Sequence, residues 1–169
     1  MSEAQDDTCS TPAGEFPFDT KSSYERGIIA TLARAFAAVR IFDPDLQTTG
    51  LESRGGAQAV DEFLRRPGAS LRVVLQHCDR LEAHSPRLMN LLRIHAHCFT
   101  IRRAPADLRH LKDCFILADA QHGILRIHAD HMRGKEFVDL PERVEPLVQR
   151  FDELWELSEP SVAGTTLGL

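Results

Sequence analysis

Apolar residues return along this chain in two periods. After Ser22 or Ser23, either of which suits a helix cap, Ile28, Ile29, Leu32, Ala35, Phe36 and Val39 recur at helical spacing. Val39-Arg40-Ile41-Phe42 then alternates as a strand does, and Asp43-Pro44-Asp45 stops it, since proline holds its predecessor extended and cannot donate to a ladder. A Thr/Gly/Ser-rich loop over 46–56 leads to a short helix from about Ala57 to Arg66, ended by Pro67-Gly68. Leu71 to Leu75 is short, β-branched and bounded by turn residues, which predicts a buried strand. Ser85-Pro86 opens a helix through Leu88, Met89, Leu91, Leu92 and Ile94 that should end near His97.

Phe99 to Arg102 and Cys114 to Ala118 read as two more strands, with a turn at Pro105-Ala106-Asp107 between them. Gly123 turns the chain back into Ile124-Leu125-Arg126-Ile127, which forms a hairpin with the preceding strand. The stretch after it reads as a polar loop. Val144, Leu147, Val148, Phe151, Leu154 and Trp155 then share one helical stripe, with Asp152, Glu153 and Glu156 outside it. Phe151 and Trp155 lie one turn apart, and the surrounding acids suit core anchors better than a base-stacking platform. This order of elements implies an α/β sandwich with helices covering a mixed sheet.

The 169 residues suffice for one sizeable core, so a single domain over 21–158 is expected. Residues 1–20 hold five acids and no Lys or Arg, and read as a disordered acidic tail whose Phe16-Pro17-Phe18 end could dock. Residues 159–169 read as a flexible C-terminal tail. The net charge of −5 equals the contribution of the first tail. Beyond it, 65–112 carries ten bases against three acids, and 113–169 five bases against eleven acids. Helix faces that complement one another across the fold account for this asymmetry more simply than a polyanion-binding surface does. No apolar run approaches the roughly 20 residues of a membrane span, and no secretory signal opens the chain, so a cytoplasmic protein is expected.

Four cysteines at wide spacing read as reduced thiols, and Cys114, opening an apolar strand, as a small buried hydrophobe. His77-Cys78, His95-Ala96-His97-Cys98, His110 with Cys114, and His128 with His131 offer metal-ligand types at spacings that fit no zinc pattern, so neither a metal nor another cofactor is expected. Asp43, just past the first strand, sits where α/β folds place ligand contacts, though Asp-Pro is also a plain strand terminator.

Ala35 to Leu46 (AFAAVRIFDPDL), Leu71 to Leu75 and Phe115 to Asp119 (FILAD) together resemble the phospholipase D-like superfamily, and more closely its single-domain bacterial members, over about residues 22–158. That resemblance implies a phospholipase D-like mixed sheet sandwiched by helices. It also implies phosphodiester chemistry carried by His-x-Lys-x-x-x-x-Asp: a histidine nucleophile, a lysine phosphate clamp and an orienting aspartate. The segment from His110 to Asp119 fits the motif in two registers. Anchoring Asp119 and its strand puts Lys112 in the place of the histidine and Cys114 in that of the lysine. Anchoring His110 and Lys112 instead requires a two-residue bulge before Asp119.

The first register is favoured, and it leaves no complete catalytic set. Where active relatives carry a Gly-Ser-x-Asn-like turn, this chain has His128-Ala129-Asp130-His131. Arg126 and His128 read as the exposed face of a hairpin strand, or else, with Lys112, as a residual anion pocket. The expectation is therefore a catalytically inactive module, homodimeric, binding a phosphate-bearing ligand, a protein partner or both, with Lys112, Arg126, His128 and Asp43 as ligand candidates. The alternatives are a phosphodiester-processing enzyme using His110, Lys112 and Asp119, and a nucleic-acid-binding module, which would need the arginines of 65–112 on one face.

Overall fold

The computed structural model describes residues 11–162, which build a mixed eight-stranded sheet with helices on both faces. The strands are β1 (Gly14–Phe18), β2 (Ala38–Asp43), β3 (Ser70–Leu75), β4 (Phe99–Arg103), β5 (Cys114–Ala118), β6 (His122–Arg126), β7 (Gly134–Val138) and β8 (Glu159–Val162). The helices are α1 (Lys21–Arg34), α2 (Arg54–Leu64), the single turn α3 (Leu81–His84), α4 (Pro86–Ile94) and α5 (Pro141–Leu157). Spatial order is β1-β7-β6-β5-β2-β3-β4-β8. The pairs β2–β3 and β3–β4 are parallel, joined through helices, and the other neighbours are antiparallel.

Strand alternation divides the interior in two. Val39, Ile41, Leu71, Val73, Ile101, Ile116 and Ile124 face α1, α2 and α4, where Ile28, Leu32, Val60, Phe63, Leu88 and Leu92 cover them. Phe42, Val74, Phe115 and Leu117 face α5 and meet Val144, Phe151, Leu154 and Trp155. Strands buried on both faces read as continuous apolar runs, which is why β3 and β5 stand out in the sequence.

Four boundaries differ from the sequence reading. Glycine-bounded Gly14–Phe18, inside the expected acidic tail, is an edge strand on β7, and Phe18 is buried against the Tyr24 ring; residues 1–10 lie outside the described part. Glu159–Val162, inside the expected C-terminal tail, pairs with β4, and residues 163–169 lie outside the described part. The polar loop contains β7, whose charged residues are neutralised by neighbours: Lys135 meets Glu15 at 2.7 Å and Glu136 meets Arg34 at 2.8 Å. The first helix, capped by Thr20, stops at Arg34 and leaves Phe36 81% exposed. The cause is the Asp119 carboxylate, which accepts from the backbone N–H groups of Phe36, Ala37 and Ala38 and pulls that segment out of the helix into β2.

Candidate functional site

Three residues in one row across the sheet form the floor of the candidate site. Cys114, the first residue of β5, pairs with Arg126, the last of β6. Asp43 follows Phe42, which pairs with Phe115, so Asp43 stands on the far side of Cys114. At about 4.8 Å per strand, the thiol separates the carboxyl from the guanidinium. Asp43, Cys114 and Arg126 are all buried, and Tyr24 of α1 lies over the guanidinium at 5.1 Å.

Arg126 shares the inward face of Ile124, two residues back along β6. Its expected exposure is thus reversed: it is 1% exposed, because α1 and two loops close over the hairpin's end. Nη1 donates to Thr48 Oγ1 at 2.9 Å and to Met132 Sδ at 3.6 Å, and Nη2 to Cys114 Sγ at 3.5 Å. Every partner is neutral. Burial works against the charge, yet the nearby Tyr24, Cys114 and Asp43 outweigh it and hold the guanidinium protonated. Nε of Arg126 and Oδ2 of Asp43 are buried without a hydrogen-bond partner, and Arg40 Nε is the third such atom among the described residues. A native fold rarely leaves such groups unmet.

Asp43 spends its other oxygen on the loop, accepting from Asp45 N at 3.1 Å and Leu46 N at 2.7 Å. This turn holds Leu46 at a φ of 67°, left-handed backbone that a leucine seldom adopts. Burial pushes the Asp43 carboxyl up to about 6 against these two backbone donors and the Arg126 charge. Burial, helped by the Asp43 charge, pushes the Cys114 thiol up to about 12, so it is no thiolate nucleophile at neutral pH.

Outside this floor lies a cleft of about 600 Å³ lined by Asp19, Ile127, His128, His131, Met132 and Arg133. His128 is half-buried, its ring 5.3 Å from that of His131, and its Nδ1 accepts from Asp130 N at 3.1 Å. Lys112 is exposed, and its carbonyl accepts from Ala129 N at 2.6 Å, which binds the start of β5 to this loop. The segment before β5 is anchored by Gln76, whose Nε2 donates to the carbonyls of Leu108 and Leu111, and by the paired contact of Arg150 with Asp113.

The remaining candidates do not converge here. β5 pairs with β6 residue for residue from Cys114 to Ala118, with no room for the bulge that the His110–Lys112 register requires. His110 is exposed, with Nδ1 2.6 Å from the carbonyl of Asp107. Asp119 lies at the opposite end of β5, seven residues beyond Lys112, or roughly 20 Å at the rise of a strand. Partial burial opposes its charge, but the three backbone donors at residues 36–38 hold its carboxyl below the usual carboxylate range. His95 is buried against Asp61 with Nε2 to Oδ1 at 2.9 Å. Among the described residues no group of three or more His, Cys, Asp or Glu is placed to hold a metal, and no helix is long and apolar enough to cross a membrane. The one sequence sign of the buried arginine was its place in Gly123-Ile124-Leu125-Arg126-Ile127, a run with no polar alternation around it.

Residues 20–164 match the family described as "Domain of unknown function (DUF7931)". The chain belongs to this family. No curated protein matches the DUF7931 chain in sequence. Among solved structures, it is similar to Nuc from Salmonella typhimurium, a phospholipase D family member, with a TM-score of 0.60 and 11% identity over 89% of this chain and 97% of that one. NucT from Helicobacter pylori gives 0.64 and 10% over 89% and 100%. TrmBL2, an archaeal chromatin protein with a novel mode of DNA binding, gives 0.66 and 12%; 92% of this chain is covered, and it spans 57% of that protein's length. The DUF7931 chain thus has the phospholipase D-like fold, and identities this low speak for the fold alone.

Proposed function

We propose that this chain is a phospholipase D-like module that binds a phosphate-bearing ligand in the cleft of His128, His131 and Arg133 without cleaving it. The observation that carries the reading is Arg126: a permanent cation, buried beside the cleft with its Nε–H unmet and no carboxylate in contact. Neither nucleophile candidate of the motif segment, Cys114 or His110, serves this cleft. The neighbouring thiol is protonated, and His110 is turned to the Asp107 carbonyl outside the row. The homodimer that the superfamily resemblance implies belongs to the same proposal, with exposed Ile127 at the cleft rim in the shared face, as does a protein partner reached through that face.

The test pairs turnover with binding. Bis(p-nitrophenyl) phosphate and DNA should give no hydrolysis above a protein-free blank, in wild type or in the His110→Ala variant, while inorganic phosphate shifts the NMR resonances of residues 127–133. Hydrolysis that His110→Ala abolishes would overturn the reading and favour a variant enzyme using His110, Lys112 and Asp119.

A second reading, nucleic-acid binding, is supported by the likeness in fold to TrmBL2, a protein that binds DNA. Against it, Arg72 and Arg102 stack on Trp155 on the α5 side of the sheet, whereas Arg65 and Arg87 belong to the opposite layer, paired with Asp61 and Glu52. A salt-sensitive gel shift with DNA or RNA would favour it.

A further inference from the structure

Met132 belongs to two environments at once. Its side chain lines the open cleft, and its sulfur touches Nη1 of the buried Arg126 at 3.6 Å. On the cleft side, a half-buried thioether therefore stands between solvent and a guanidinium that has five N–H donors, with the half-buried Thr48 hydroxyl on the same Nη1. Three of those donors meet Thr48 Oγ1, Met132 Sδ and Cys114 Sγ, and Nε meets nothing. Two of the three acceptors are sulfur, which accepts weakly. A phosphate oxygen would be a far stronger partner, since arginine–phosphate pairs are charge-assisted and can be bidentate.

Chain geometry allows the exchange. Methionine is unbranched with three side-chain torsions and changes rotamer at little cost. Met132 sits in the loop 127–133, which is closed at its base by Ile127 N donating to the Arg133 carbonyl and tied to Lys112 by Ala129 N, so the side chain can move while the loop stays. The floor is fixed: Gly134, the next residue but one, brings β7 so close that a Cβ there would lie 1.9 Å from the Leu125 carbonyl, and Tyr24 packs over the guanidinium.

Building on the phosphate-binding reading, we infer that Met132 is a gate, and that a phosphate group entering between His128, His131 and Arg133 displaces its thioether to reach Arg126. In the closed state Arg126 is satisfied by neutral atoms and hidden; in the liganded state it supplies the innermost donors. Apparent affinity is then lowered by the fraction of time the gate is shut.

The test is a titration of the 15N-labelled full chain with inorganic phosphate, following the backbone amides of 127–133 and the Arg126 Nε–H. Wild type should bind weakly. Met132→Ala should bind at least about tenfold more tightly, the gain expected if the closed state dominates, with a large shift of the Arg126 Nε–H. Met132→Leu, which keeps the bulk over Arg126, should match wild type. Met132→Gly, which removes the same bulk, is the second route to the same gain if Met132→Ala does not fold. Equal affinity in wild type, Met132→Ala and Met132→Gly overturns the gate and leaves the site standing. Absence of any phosphate-dependent shift in wild type and in the folded open-gate variants overturns the phosphate reading, and the gate with it.

Discussion

Asp43→Asn measures how the buried row is held together. Burial raises the Asp43 carboxyl from 3.8 to about 6, overcoming two backbone donors and the Arg126 charge. A carboxyl raised in the folded state favours the protonated form, so its contribution to stability is intact below its unfolded value and is lost as pH climbs through the window from 3.8 to about 6. At pH 7.5 the loss amounts to about 3 kcal/mol, and at pH 5 to about 1.6 kcal/mol, from roughly 1.4 kcal/mol per tenfold in proton affinity. Asparagine keeps an oxygen for the Asp45 and Leu46 amides and never ionises. Its extra amide donor, placed at the unpartnered Oδ2, offsets about 1 kcal/mol of the gain. The variant should therefore exceed wild type by about 2 kcal/mol at pH 7.5 and by about 0.6 kcal/mol at pH 5. Urea denaturation of both proteins at the two pH values reads the difference, and other carboxylates cancel in it. A gap that stays constant or widens toward low pH would show Asp43 to be a stabilising anion paired with Arg126, refuting the account of a desolvated, separated pair.

Asp119→Ala removes the acceptor shared by the Phe36, Ala37 and Ala38 amides; a loss of about 2–4 kcal/mol should lower the melting temperature by roughly 5–15 °C, measured by circular dichroism. Because its carboxyl is held low, the stability Asp119 contributes is present above pH 3.8 and is lost as pH falls through its folded value. Cys114 should resist a maleimide pulse in the native protein at pH 8 while the less buried Cys78 and Cys98 react, with peptide mass spectrometry as the readout; labelling of Cys114 as fast as Cys98 would contradict its burial. Gly134→Ala, whose methyl would strike the Leu125 carbonyl and the Phe18 ring, should cost more than about 3 kcal/mol and displace Arg126 resonances in the NMR spectrum, whereas Gly68→Ala, facing open space at φ +75, should leave those resonances unmoved.

How far the site could be read in advance depended on which force each residue answers to. β3 and β5 were visible because strands buried on both faces become unbroken apolar runs, and Cys114 was read as a buried thiol for the same reason. β7 was not, because beyond its pairing with β6 its stability comes from β1 and from ion pairs with Glu15 and Arg34, all remote in sequence. Phe36 fits the helical stripe of α1, yet a carboxylate 83 residues away claims its amide and ends the helix first.

Local pattern alone determined the order of the main strands and helices and the α/β class, since each rests on the identity and spacing of near neighbours along the chain. Only the tertiary structure decided which side chains stand together at the start of β5. A hydrophobic period cannot tell an arginine on an exposed hairpin from one beneath Tyr24, Thr48 and Met132, because its burial is set by α1 and two loops up to 102 residues away from it. It likewise could not show that Cys114 stands between Asp43 and Arg126, because strand order, not chain order, sets which charges meet.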